Sequence, residues 1–479
     1  MQKIIQNIQN SEELLSHGNV DGRRVVLDIL EAGLRASDPY ESVRKLVRVE
    51  DGKLIVGCES AAASQGQKPL VFDLSRVGHI YVIGGGKAAQ RQAKALEDAL
   101  GDLITEGHVN AKKGDAVQLE RIGVTLAGHP IPDEDSVAGA RKIVEVARKA
   151  RKGDVVFFSE SGGGSALLTL PAPGISLQDL QDLNRVLYFE CGASMWDTNA
   201  VRNVLTVLRS REVRYVGEAT FIQISTDERP PGLRIHTGKS DGQRSSDDAY
   251  RHAVEVLKAY RCWDRVSESI RRFLLAADPQ YGPLTPDELA RMHRFRAIGP
   301  ERMLEAAQGR ARELGLSVTI VASSLSDVEA KAAGDVLAYM AQEAEVYGRP
   351  LNPPCVLLCG GELLVTVGAA TGVGGRNQEF VLSMAPRIAQ SGRIVAASVD
   401  SDGSDGPTDV AGGIVDGLTM DRARDAGFDV FEELRCHNSS PVLRKLGDAI
   451  FTGIRGTNVQ DLRVVYIASR GSRVAGDDG

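Results

Sequence analysis

The 479-residue chain is poor in aromatics, at 5%, and holds only six cysteines; nowhere do about 18 apolar residues run together. The last absence predicts that no helix crosses a membrane. The cysteines, Cys58, Cys191, Cys262, Cys355, Cys359 and Cys436, are scattered, and only Cys355 and Cys359 lie close together. Within the apolar run Cys355-Val-Leu-Leu-Cys359 they read as a buried strand, not a zinc knuckle. No basic segment followed by an apolar core opens the sequence, so no signal peptide is evident and a reducing, cytoplasmic compartment is expected. Positive charge is also scarce: 57 Lys and Arg against 64 Asp and Glu give a net charge of -7. That disfavours nucleic acid as a partner, because neutralising many phosphates needs a basic face. Small anions remain within reach of a few lysines and backbone amides. Glycine, by contrast, is abundant, with 51 residues and no low-complexity tract, which points to tight turns around ligands.

With 42% hydrophobic and 25% charged residues, the composition is that of a globular chain of two or three domains. Short apolar runs alternate with helical stretches. His79 to Ile83 reads as a strand ending in glycines, Lys87 to Leu100 as a helix, Asp154 to Ser159 as a strand, and Leu177 to Phe189 as a helix. This rhythm predicts two α/β domains with mainly parallel sheets, whose ligands bind at the carboxyl ends of the strands. The expected boundaries are an N-terminal Rossmann-like domain over residues 1–272, a proline-bearing linker over 273–300, and a second α/β domain over 301–479. In the second domain a hairpin is expected from Leu363 to Val367.

Four clusters can carry chemistry. Gly84-Gly85-Gly86-Lys87 joins a strand to a helix, where glycines admit an anion and Lys87 adds a point charge. It is neither a P-loop, since Ala88 follows Lys87, nor a dinucleotide fingerprint, whose third glycine falls on Ala89. Ser161-Gly162-Gly163-Gly164-Ser165 offers free amides and hydroxyls to phosphate or carboxylate oxygens. Ser165 is not a nucleophile elbow, because Leu167 stands where the second glycine is required. In Gly372-Val-Gly374-Gly375-Arg376, the planar fork of Arg376 can take two oxygens of one phosphoryl group, or pair with a carboxylate across the domain. Finally, Asp400, Asp402, Asp405 and Asp409 crowd into ten residues and would repel unless a cation lies close; Asp402, Asp405 and Asp409 are the candidate magnesium ligands. A smaller feature is the loop Gly128-His129-Pro-Ile-Pro-Asp133, with His129 a candidate substrate contact. Glycine loops, a lysine, an arginine and carboxylates together are what phosphoryl transfer requires.

The motifs GGGK, GHPIPDEDS, SGGGSALL, GGRNQE, DGSDGPTDVAGG and GTNVQDLRV occur in the order seen in the glycerate 2-kinases of the MOFRL type, which this chain resembles from about Val25 to Ile467. The resemblance implies a two-domain α/β protein with its active site in the interdomain cleft, transferring the γ-phosphoryl group of ATP, with magnesium, to the 2-hydroxyl of D-glycerate. Matching motifs make Lys87 and Arg376 the catalytic pair, and Asn199 and Arg202 of the retained Asn-x-Val-Arg stretch substrate contacts. The implied partner is a small molecule, with no nucleic acid and no membrane; a homodimer is an open option. Two competing readings are an NAD(P)H-dependent hydroxypyruvate reductase and a ligand-binding homologue without turnover. The sequence departs from the family where Asn203-Val-Leu-Thr206 and Leu208-Arg-Ser210 replace Lys-His-Leu-Ser and Lys-Gly-Gly, and again at Ser225 to Gly232, His236 to Lys239 and Ile298 to Glu301. The added Arg209, Arg211, Arg229, Arg234, His236 and Lys239 predict a more positive acceptor side, suited to a different or longer hydroxy acid.

Overall fold

A computed structural model describes residues 6–57, 68–228, 230, 245–368 and 370–470. The chain forms two compact units, one from Pro39–Asp227 and His236–Ile298, the other from Met1–Asp38, Glu228–Ile235 and Gly299–Gly479. Cys58, the segment 231–244 with Arg229, and the tail 471–479 lie outside the described residues.

The first unit opens with a small antiparallel sheet of β1 (Val47–Glu50), β2 (Lys53–Val56) and β3 (Leu70–Asp73). Its main sheet contains β4 (Ile80–Gly85), β5 (Ile104–Lys112), β6 (Gly123–Ala127), β7 (Val155–Ser161), β8 (Thr220–Thr226) and β9 (Met292–Ile298). All five ladders are parallel, in the spatial order β6-β5-β4-β7-β8-β9. The central strands are apolar throughout because both faces are covered. Ile80, Val82, Val155 and Phe157 enter one core with Ala93 and Leu96 of the helix Ala89–Leu100. The alternate residues Tyr81, Ile83, Val156 and Phe158 enter another with Ala140 and Ile143 of the helix Glu134–Ala147.

The expected linker is a structured part of this unit. β9 pairs with β8 along its length, and Pro279 and Pro286, read as loop signals, instead open short helices at Pro279–Tyr281 and Pro286–Ala290. Proline suits a first helical turn, whose N–H has no intrahelical partner.

The second unit holds β10 (Ser317–Ala322), β11 (Cys355–Gly361), β12 (Ile394–Asp400), β13 (Gly412–Asp416), β14 (Ala449–Ile450) and β15 (Asp461–Ile467), in the order β10-β11-β15-β12-β13-β14. β10 and β11 are parallel, whereas β15 runs antiparallel to both neighbours, β11 and β12. The α/β class holds, and the parallel character lies in the first unit's main sheet; this second sheet is mixed, with β10–β11 its one parallel ladder among the described residues. The expected hairpin at 363–367 is not formed; Leu364 makes a single parallel bridge to Glu329.

The N-terminal boundary also shifts, because the helix Val20–Ala36 packs on β12, β15 and the helix Pro300–Glu313. A Cβ on Gly22 would stand 2.6 Å from Val395, and one on Gly33 would stand 2.4 Å from Leu462, so glycine permits this close approach. The fully buried Arg23 fastens the helix to Asp416 at 2.6 Å and Asp448 at 2.8 Å. Among the described residues, no helix is long and apolar enough to cross a membrane.

Candidate active site

β4 and β7 are neighbours from which the chain winds in opposite directions, β4 leading to β5 and β6, and β7 to β8 and β9. Their carboxyl ends therefore flank the point where strand order reverses. Both glycine clusters fall there, with Gly84 paired to Ser159 and Gly85 to Glu160. The turns are locked together. Gly86 has φ +137°, and a Cβ on it would lie 2.2 Å from Ser161 Oγ. The Lys87 N–H donates to Gly162 O at 2.9 Å, and the Ala88 N–H to Ser161 Oγ at 2.8 Å. Ser161 thus serves the junction between the loops, and the Gly86, Lys87 and Ala88 amides are used internally.

The Gly162-Gly163-Gly164-Ser165 turn is where the side chains converge. Gly163 has φ +86°; a Cβ there would stand 3.1 Å from His129 Cδ2 and 3.2 Å from Lys87 Cγ. On the next residue, the Cβ of a substituted Gly164 would lie 3.3 Å from Arg209 Nε. The amides of Gly164 and Ser165 open a helical turn and have no intrahelical acceptor. Lys87 and His129 thus share one glycine's surroundings, and Arg209 borders the next.

Arg209 is ion-paired with Glu160, whose other oxygen accepts from Gln223. Glu160 and Gln223 were missed by the sequence reading. The only signal for Glu160 was its place in the Ser159-Glu-Ser161 stretch, and Gln223 sits alone in an apolar strand. Arg202 is buried, held by Asn184 Oδ1 at 2.7 Å and Asn199 Oδ1 at 2.6 Å. Burial, with a contribution from Arg209, pulls its pKa down to about 10. Asn199 and Arg202 are therefore bonded to each other on the helix Met195–Val204. Arg211 is not part of a positive substrate face: it is buried and donates to the carbonyls of Asn203, Thr206, Arg209 and Gly282. Asp133 caps the helix Glu134–Ala147 by accepting from the Ser136 N–H at 2.9 Å.

In the second unit Arg376 opens the helix Arg376–Ile388. Its fork lies on Asp461, with both contacts at 2.9 Å, while Asp400 and Glu362 lie at 2.6 and 3.0 Å. Burial opposes the charge, yet Asp461, Glu362 and Asp400 outweigh it and hold the guanidinium protonated far above its ordinary range. Of the two readings of Arg376, the carboxylate pairing is the one observed.

In the neighbouring loops several groups read as ligand contacts have partners within the protein. Gly374 and Gly375 pack against the chain itself: their Cβ atoms would stand 2.3 Å from Ser439 Oγ and 2.2 Å from Asp405 Cγ. The Asn377 and Gln378 N–H groups, the natural anion contacts at this helix start, already donate to Asp405 at 3.1 and 2.9 Å. The three aspartates read as magnesium ligands are held apart by different partners. Asp405 is buried and saturated by Asn377 and Gln378, Asp402 accepts from Ser404, and Asp409 is exposed on Arg444. Among the described residues no group of three or more His, Cys, Asp or Glu side chains converges as metal ligands do.

Paired glycine turns at the switch point of this sheet define an open α/β protein of the doubly wound class. The model of a domain of unknown function, DUF4147, matches residues 25–275, and the MOFRL family model matches residues 355–461. The chain is 36% identical over 457 residues to a glycerate 2-kinase of Pyrococcus horikoshii, covering 94% of this chain and 100% of that one. A crystal structure of a Thermotoga maritima glycerate kinase superposes with a TM-score of 0.70 at 29% identity, over 93% of this chain and 99% of that one. An Agrobacterium vitis protein with a provisional hydroxypyruvate reductase name is 33% identical over 393 residues, 81% of this chain and 87% of that protein. The chain belongs to the MOFRL-type glycerate 2-kinase family.

Proposed function

We propose that this protein is an ATP-dependent cytoplasmic kinase that phosphorylates the 2-hydroxyl of D-glycerate, releasing ADP. The observation that carries the reading is the convergence of Lys87 and His129 on the Gly162–Ser165 turn, at the switch point of a parallel sheet. In the reaction the acceptor oxygen bonds to the γ-phosphorus, its hydroxyl proton passes to solvent, and the bond from that phosphorus to the β,γ-bridging oxygen breaks, the bridging oxygen leaving with ADP. Charge spreads over the phosphoryl oxygens, and a preorganised cation with backbone N–H groups stabilises it. Lys87 is assigned that cationic role and His129 a place beside the acceptor. Arg376 is assigned a catalytic role exercised from within its carboxylate cage. Magnesium enters in this reading with the nucleotide, and such an ion needs only one or two protein carboxylates.

The acceptor is assigned as glycerate rather than a longer acid. Of the cations that suggested a longer one, Arg209 is neutralised by Glu160 and Arg211 is spent on carbonyls, while Arg229, Arg234, His236 and Lys239 lie outside the described residues. The test is a coupled assay of ADP release with hydroxy acids of three to six carbons, run beside NADH oxidation with hydroxypyruvate. The expected result is ADP release, with glycerate giving the highest kcat/KM. NADH oxidation without ADP release would establish the reductase reading instead, and nucleotide binding without turnover on any acid would leave a ligand-binding homologue.

A further inference from the structure

Two side chains with reactive chemistry lie apart from the glycine turns. Cys191 directly follows the turn Arg185–Glu190, and Cys262 lies just beyond the helix Ser246–Ala259. They are 71 residues apart in sequence, yet their sulfurs are 2.9 Å apart. A disulfide bond measures about 2.05 Å, so the atoms need to close by less than about 1 Å. Arg265 Nη1 lies 3.3 Å from the Cys191 sulfur, and Arg265 is itself held by Glu190. Cys191 is partly exposed, whereas Cys262 is fully buried, with its sulfur 3.2 Å from the Tyr260 carbonyl.

We propose that Cys191 and Cys262 form a reversible oxidation site, closing to an intrachain disulfide when the protein meets a peroxide. Their environments assign the roles. Access assigns the attack to Cys191, which is partly exposed with Arg265 beside its sulfur, while Cys262 is buried behind it. Burial, reinforced by Cys191, pushes the Cys262 thiol up to about 12, so it keeps its proton until the second step. In the first step the Cys191 sulfur attacks one peroxide oxygen; an S–O bond forms, the O–O bond breaks, and the departing hydroxide takes up the proton that the thiol gives up, becoming water. In the second, the Cys262 sulfur attacks the Cys191 sulfenic acid; the S–S bond forms, the S–O bond breaks, and the Cys262 proton leaves with the hydroxyl as a second water. The two thiols lose two electrons and the peroxide gains them. Cytoplasmic thiol reductants return the pair to the dithiol.

The bond would tie together segments that already meet. The Tyr260 hydroxyl lies 2.9 Å from Asp197, on the helix that also carries Asn199 and Arg202, so oxidation would staple the approach to that helix. Cys355 and Cys359, buried in β11, serve as internal controls, since burial raises both thiols and pushes Cys355 up to about 11.

The test treats the folded, full-length protein with hydrogen peroxide, alkylates remaining thiols in denaturant, and maps the digest by mass spectrometry. The expected result is a cross-linked peptide joining Cys191 to Cys262, lighter by two hydrogens and released by dithiothreitol, with Cys355 and Cys359 still alkylated. In Cys191→Ser the cross-link is lost and Cys262 is recovered as a free thiol, while turnover without peroxide stays as in the parent. Recovery of Cys191 and Cys262 from the treated parent as separate alkylated peptides overturns the proposal. So does Cys191 recovered as a sulfinic or sulfonic acid with no cross-link.

Discussion

The hydroxyl of Ser161 accepts the Ala88 N–H at 2.8 Å while filling the space where a side chain on Gly86 would stand, 2.2 Å away. One atom therefore sets both the hydrogen bond and the steric limit between the two glycine turns. Gly86→Ala is expected to push Ser161 aside and to strain a backbone at φ +137°, which costs an alanine about 1 kcal/mol or more. Turnover should fall at least about 100-fold, on the scale of a displaced catalytic group. Kinase assays with a thermal melt check this; full activity at an unchanged Tm would refute the locked-turn geometry.

Lys87 and Arg376 should separate experimentally. Removing Lys87 deletes a charge beside a glycine turn, so Lys87→Ala is expected to lower kcat about 100-fold with little change in Tm. Removing Arg376 leaves Asp400, Asp461 and Glu362 facing one another without their shared cation. Arg376→Ala should therefore cost about 3–5 kcal/mol of stability as well as activity. Chemical denaturation of both variants decides; equal stability would mean that the carboxylate cage does not depend on its arginine.

Arg209 borders Gly164 and is oriented by Glu160, itself held by Gln223. Arg209→Ala is expected to raise KM for the hydroxy acid about 10-fold, on the scale of one charge-assisted hydrogen bond, and to leave KM for ATP nearly unchanged. Glu160→Gln should reproduce part of the effect by releasing the guanidinium. Initial-rate kinetics with each substrate varied in turn measure both, and a rise confined to the KM for ATP would assign Arg209 to the nucleotide instead.

The first sheet was legible because its central strands are continuous apolar runs whose glycine-rich segments marked the carboxyl ends where ligands bind; that two of these ends flank a reversal of strand order needed the pairing itself. β9 was not, because Met292-His-Arg-Phe-Arg mixes charge with apolar residues on a partly exposed edge strand, and nearby prolines read as breakers. Nor does local pattern reveal that the helix Val20–Ala36 belongs with a sheet far along the chain; that follows from Arg23 meeting Asp416 and Asp448, 393 and 425 residues later. The partners of the aspartate cluster were not legible for a related reason. Asp405 carries the helix-capping role that its spacing cannot distinguish from metal binding, and the carboxylates on Arg376 come from three separate segments.

Glu212 sits near Arg209 and Glu160, fully buried, and accepts the Ser210 N–H at 3.1 Å. Burial raises its pKa to about 7, with Glu160 adding to the rise and Arg209 opposing it. In the unfolded chain the same carboxyl titrates near the ordinary value of 4.5, so between these two pH values the folded protein holds a proton that the unfolded chain has lost. Stability from this group is therefore fully present below about pH 4.5 and falls as the pH rises towards 7, by at most about 3 kcal/mol at 1.36 kcal/mol per pKa unit. Glu212→Gln keeps the shape and the acceptor for Ser210 but cannot ionise. It is expected to flatten the decline in stability between pH 5 and 7 and to unfold at higher denaturant than the parent at pH 8. Urea melts across that range measure it. If parent and variant lose stability in parallel as pH rises, Glu212 ionises in the folded protein without cost.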